Sequence, residues 1–169
     1  MATKRKLFDD IARQIKLLIL DCDGVLTDGR IYITAQGEET IAFNVQDGLG
    51  IERLQASGIP VAVISGRNNT AVQHRLKQLK ITHVFLGRHE QKMAAFHTLL
   101  ETLTLQPTQV AYIGDDLPDI AIMEKVGLSI AVPNAVDAVK KIAHLCTQKK
   151  GGKGAVREVC DLIYDAQHS

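Results

Sequence analysis

Short runs of consecutive apolar residues recur along this chain, separated by stretches of helical period. Lys16-Leu17-Leu18-Ile19-Leu20 leads into Asp21-Cys22-Asp23-Gly24. Pro60 opens Val61-Ala62-Val63-Ile64-Ser65, and Val110-Ala111-Tyr112-Ile113 leads into Gly114-Asp115-Asp116. Strands this apolar are buried on both faces, as in a parallel sheet flanked by helices. The pattern predicts strands at 16–21, 61–65, 83–86, 110–113 and 128–131. Helices are predicted at 4–14, 47–57, 68–79, 89–104, 117–125, 134–142 and 155–167. That alternation implies an α/β, doubly wound parallel-sheet fold with right-handed crossovers. One stretch breaks the rhythm: residues 30–34 and 39–43 alternate around Gln36-Gly37, which is a β-hairpin signal.

Composition narrows the classes. At 169 residues and a formal charge of +1, the chain is long enough for one domain spanning 1–169. Its charge gives no field toward nucleic acid or membrane, so neither is an expected partner. The apolar runs are strand-sized, too short for a membrane span. Acids at Asp9 and Asp10 interrupt the N-terminal stretch where a secretory leader needs its apolar region, so no leader is expected. Cys22, Cys146 and Cys160 lack metal-type spacing and read as reduced thiols, which implies a cytoplasmic location. Trp is absent, which weakens any case for base stacking. The segment 147–154, with Lys149-Lys150-Gly151-Gly152-Lys153-Gly154, reads as a flexible basic tail. It lacks the Ser or Thr that a phosphate-binding P-loop needs after its Lys.

Ligands in open parallel sheets bind beyond the carboxyl ends of the strands. Asp21 and Asp23 sit at such an end, and two carboxylates so close repel unless a cation or a proton separates them. Ser65, Lys92 and the acids Asp115, Asp116 and Asp119 belong to the same rim. Each acid alone could be a helix cap and Ser65 a turn residue, but together they suit a phosphate ester. Asp21 can attack phosphorus as a carboxylate nucleophile. Asp23 can protonate the leaving alkoxide and later take a proton from water. Asp115 can join Asp21 and the Asp23 carbonyl around Mg²⁺, while Ser65 and Lys92 hold phosphoryl oxygens.

These motifs (Asp-x-Asp-Gly-Val-Leu-Thr, Ser-Gly-Arg, a downstream Lys and Gly-Asp-Asp-x-x-Asp) resemble the four motifs of the haloacid dehalogenase superfamily. The hairpin after the first motif, the lack of a cap domain, residues 42–51 and the Gly151–Cys160 segment narrow the resemblance. From about Lys16 onward, they are similar to the 3-deoxy-D-manno-octulosonate 8-phosphate phosphatases. The resemblance implies a Mg²⁺-dependent phosphatase acting on a phosphorylated sugar acid in lipopolysaccharide precursor synthesis. It implies a homotetramer joined through the hairpins. It also implies substrate contacts from Asn44, Asp47, Gly48, Arg67 and Arg75, with Gly66, Asp116 and Asp119 supporting the site. Glu52 stands where some members carry an arginine, and the loop 87–92 is a residue longer than is common.

An isolated two-stranded ribbon is marginal in water, so Ile31, Ile33, Ile41 and Phe43 should seek a partner surface. The tail residue Arg157, with a planar fork suited to carboxylates, is a candidate contact to the site. Strand alternation turns Cys22 away from its flanking acids, as a packing residue. The six histidines show no zinc-type spacing and read as structural or surface groups. A phospho-receiver domain is the main competitor from another class, but it needs an acid after its third strand, where Val84-Phe85-Leu86-Gly87 has none. A catalytically inactive binding module and a phosphatase for a nine-carbon sugar-acid phosphate compete with it at this point.

Overall fold

The computed structural model describes residues 10–169. Strands β1 (Leu17–Leu20), β4 (Val61–Ile64), β5 (His83–Phe85), β6 (Val110–Gly114), β7 (Leu128–Ala131) and β8 (Leu145–Cys146) form a six-stranded sheet in the order β5-β4-β1-β6-β7-β8. Every pairing in it is parallel. β1 lies at the centre, with Ile19 opposite Ala62 on one side and Tyr112 on the other. All four residues of β1 are buried, as are those of β4 and β7, which is why these runs contain no alternation.

Helix α1 is described over residues 10–14, and the rest of its expected range, 4–9, lies outside the described residues. The later helices are α2 (Val45–Ala56), α3 (Thr70–Gln78), α4 (Lys92–Leu103), α5 (Ile120–Met123), α6 (Asp137–Ile142) and α7 (Ala155–Gln167). Asn44 and Asn69 cap α2 and α3 by accepting backbone amides, fixing both starts within three residues of expectation. α2 packs against α7, whose buried face is Val156, Val159, Cys160 and Ile163.

The differences from expectation have local causes. The helix expected at 117–125 is a 3-10 turn, Leu117–Asp119, followed by the four residues of α5. Asp116 starts that turn by accepting Leu117 N, and Pro118 removes one donor. The helix expected from 89 begins only at Lys92. β8 is an addition to the expected strands; at two residues it is too short to leave a pattern. The hairpin is β2 (Tyr32–Ile33) against β3 (Glu39–Thr40), antiparallel and shorter than the alternation suggests. Ile41 and Phe43 are half-buried against the chain's own core, so only Ile31, Tyr32 and Ile33 of the hairpin's large apolar residues remain exposed. The basic segment 147–154 is anchored: Thr147 is buried, and Gly151 and Gly152 bond to neighbouring loops.

Candidate active site

A pocket of about 270 Å³ opens over the carboxyl ends of β1, β4 and β6, lined by Asp21, Asp23, Gly29, Gly66, Arg67, His89, Lys92, Asp115, Asp116 and Pro118. β1 delivers Asp21 at its end, and the tight turn Cys22–Leu26, with Gly24 at φ 86°, brings Asp23 to the same side. Cys22 is fully buried in the hydrophobic core, and burial with its flanking carboxylates pushes its thiol pKa up. It therefore cannot serve as a thiolate nucleophile.

The Lys92 ammonium is nearly buried, 2.8 Å from Asp21 Oδ1 and 2.7 Å from Asp119 Oδ1. Burial works against its charge, but the two carboxylates outweigh that and raise its pKa. Asp119 is wholly buried and saturated with donors. Lys92 and the Tyr112 hydroxyl (2.7 Å) donate to Oδ1, and the Asp115 and Asp116 amides, at 2.9 and 3.2 Å, donate to Oδ2. Asp21, Asp115 and Asp119 offer oxygens within 4.8 Å of one another, the spacing of a metal cluster. With four donors already on its two oxygens, Asp119 fits as the anchor of Lys92 and of the β6 loop better than as a metal ligand.

Asp115 is different. Its Oδ1 is buried and has no hydrogen-bond partner. Burial first, then the charges of Asp21 and Asp119, push Asp115 up to about 8, while burial and Asp119 push Asp21 up to about 6. An orphaned buried oxygen between mutually repelling carboxylates is what a hard divalent cation with oxygen ligands would relieve. Asp21 and Asp115 fit that requirement.

Ser65 is buried at the end of β4, and its hydroxyl accepts the Arg67 amide at 3.2 Å. Arg67 reaches over the pocket, with Nη1 3.5 Å from Asp23 Oδ1 and Nη2 bonded to Glu39 of the hairpin. Asp23 is raised by burial, against which Arg67 pulls down. Glu39, His89, Gly29 and Pro118 are site residues that the sequence pattern does not single out. His89 lies in the loop leading to Lys92, and that position on the rim is the one available signal.

Five expected substrate residues lie elsewhere within this chain. Asn44 caps α2. Asp47 is buried and accepts Arg157 N at 2.8 Å and Gly154 N at 3.3 Å, so within this chain its carboxylate caps α7. Gly48 leaves room for the Arg75 guanidinium, which lies against it and not in the pocket. Arg157 is turned to Asp161, with Nε at 2.6 Å from its carboxylate, and borders a separate hollow beside Lys149 and Lys153.

Comparison with known proteins identifies the family. The family model described as haloacid dehalogenase-like hydrolase matches residues 86–159. The 3-deoxy-D-manno-octulosonate 8-phosphate phosphatase of Yersinia pestis is 53% identical over 162 residues, covering 94% of this chain and 86% of that protein. The corresponding protein of Escherichia coli K12 is 52% identical, over 92% of this chain and 82% of its own length. A crystal structure of the Yersinia pestis phosphatase superposes with a TM-score of 0.93, covering 95% of this chain and 86% of that one. The phosphatase from Moraxella catarrhalis, solved with magnesium ion, phosphate ion and KDO, also gives 0.93 at 43% identity, covering 96% of this chain and 93% of that one. The chain belongs to the 3-deoxy-D-manno-octulosonate 8-phosphate phosphatase family of the haloacid dehalogenase superfamily.

Proposed function

We propose that this chain is a Mg²⁺-dependent phosphatase that hydrolyses 3-deoxy-D-manno-octulosonate 8-phosphate to the free sugar acid and phosphate. The observation that carries the reading is the orphaned Asp115 Oδ1 beside Asp21, with Lys92 on the other side of Asp21. When bound there, Mg²⁺ supplies positive charge for the nucleophilic carboxylate and the phosphoryl oxygens. Asp21, Asp115 and the Asp23 carbonyl would hold it.

The chain's own groups divide the remaining work. Asp21 attacks phosphorus, forming an aspartyl-phosphate, as the bond to the sugar oxygen breaks. Asp23, half-buried and kept up in pKa by burial, gives its proton to that oxygen. Asp23 then takes a proton from the water that attacks the aspartyl-phosphate, releasing phosphate and restoring Asp21. Lys92 holds Asp21 in line and shares its charge with the equatorial oxygens. Ser65, at the end of β4, and the Gly66 amide are the proposed further donors to the phosphoryl oxygens, and Arg67 suits a substrate oxyanion through its planar fork.

No helix among the described residues is long and apolar enough to cross a membrane. The three cysteines are free thiols, which supports catalysis in the reducing cytoplasm. The hairpin leaves Tyr32 55% and Ile33 70% exposed, an apolar edge that supports assembly into a tetramer. In such an assembly Asn44, Asp47, Gly48, Arg75 and the tail around Arg157 can act only through a neighbouring subunit or through the backbone. Phosphate release from the eight-carbon sugar-acid phosphate tests the reading. Turnover should require Mg²⁺, stop with chelator and be absent in Asp21→Asn. Turnover by Asp21→Asn would refute the nucleophile.

A further inference from the structure

The turn carrying Asp23 is held from behind by two segments that the proposed chemistry does not use. Thr27 Oγ1 accepts the Gly24 amide at 3.3 Å and the Gly29 amide at 3.2 Å. A peptide unit is planar, so fixing the Gly24 N–H also fixes the direction of the Asp23 carbonyl. The next peptide is held from its oxygen end. Asn134, in the turn after β7, donates from Nδ2 to the Gly24 carbonyl at 2.8 Å. The same side chain accepts the Gly151 amide on Oδ1 at 2.8 Å. Gly152 N then donates to the Val25 carbonyl at 2.9 Å. The contact is so close that a Cβ on Gly151 would overlap the Gly24 carbonyl, and one on Gly152 would press on the Asp28 amide.

One carboxamide thus joins three loops that are distant in sequence. We infer that Asn134 is a positioning residue: it ties the segment 148–154 to the Asp23–Gly24–Val25 backbone, so that docking of this segment and divalent-cation binding at Asp21, Asp23 and Asp115 strengthen each other. The inference rests on the Mg²⁺ reading above. Coupling of this kind is reciprocal: whatever docking contributes to cation affinity, the cation returns to docking. Asn134 lines no part of the pocket, and it is exposed on its outer side, so replacing it leaves the core intact.

Two readouts separate this role from a merely structural one: calorimetric Mg²⁺ titration and amide hydrogen exchange at Gly151 and Gly152. In the wild-type protein Mg²⁺ should slow exchange at both amides. Asn134→Ala should weaken Mg²⁺ binding about tenfold, the scale of groups that orient metal ligands from behind, and abolish the Mg²⁺-dependent protection. Its kcat should fall while KM for substrate stays near the wild-type value. Gly151→Ala, which forces the segment away without touching Asn134, should weaken Mg²⁺ binding similarly. Unchanged Mg²⁺ affinity in both variants, or exchange in the wild type that ignores Mg²⁺, overturns the inference alone. A wild-type protein that binds no Mg²⁺ overturns the functional reading as well.

Discussion

The Cα of Gly24 lies against the Asp115 carboxylate so closely that a side chain at residue 24 would overlap Asp115 Oδ2. The turn after the first strand and the acid after the fourth parallel strand are therefore built to touch. Gly24 also has φ 86°, a conformation that other residues adopt only at a cost.

Gly24→Ala should consequently displace Asp115 or the turn by a substantial fraction of an ångström. Misplacement on that scale costs on the order of 10²-fold in rate. Steady-state kinetics should show the loss in kcat, with a parallel rise in the Mg²⁺ concentration needed for half-maximal activity. Wild-type kinetics in this variant would remove the close contact from the account.

Asp119 predicts a stability effect instead. Its carboxylate is the buried acceptor for both Lys92 and Tyr112. Asp119→Ala leaves an ammonium and a hydroxyl buried without that partner, at a cost of about 3–5 kcal/mol. Tyr112→Phe removes one neutral donor to that carboxylate and should cost less, about 1.5–3 kcal/mol. Urea unfolding curves measure both, and a smaller loss for Asp119→Ala than for Tyr112→Phe would contradict the saturated-anchor role.

The acid pair sets a pH dependence. Without a cation, Asp21 and Asp115 sit near 6 and 8, raised from an ordinary value of 3.8. Acids raised on folding bind more protons in the folded state. Their contribution is complete below the unfolded value and is lost as pH climbs through the folded values, between about 4 and 8. Thermal unfolding of the metal-free protein should therefore show falling stability from pH 5 to pH 8, and Asp115→Asn should flatten that slope. Added Mg²⁺ competes with the protons, so its stabilising effect should grow over the same range. Metal-free stability that rises over this window for the wild type relative to Asp115→Asn would reverse the assignment.

The exposed hairpin predicts assembly. Ile33→Asp places a charge on an edge that is 70% exposed in the single chain, so it should leave the fold intact and dissociate the proposed tetramer. Light scattering would show a smaller particle with unchanged circular dichroism; a wild-type monomer would defeat the assembly proposal.

The parts of the site legible in the sequence are those written locally. Asp21, Ser65 and Asp115 each follow an apolar run, and the end of a buried strand fixes where such residues stand. The cap that Asp47 forms is not legible in the sequence because its partners, the amides of Gly154 and Arg157, are more than a hundred residues away. Nothing near Asp47 marks it as the cap of a distant helix. Within this chain the Arg157 fork is taken up by Asp161 one helical turn on. Glu39 stays hidden because the register of a two-residue ribbon, not its alternation, brings that side chain to Arg67. The parallel sheet follows from the rhythm of strands and helices, whereas β8 is too brief to leave a pattern.

Calorimetric titration of Mg²⁺ into metal-free wild-type protein and into Asp115→Asn tests the centre of the account most directly. The expected result is one ion per chain in the wild type, tighter at pH 8 than at pH 6, with binding lost in the variant. Equal binding by the two proteins, or none by either, would contradict it.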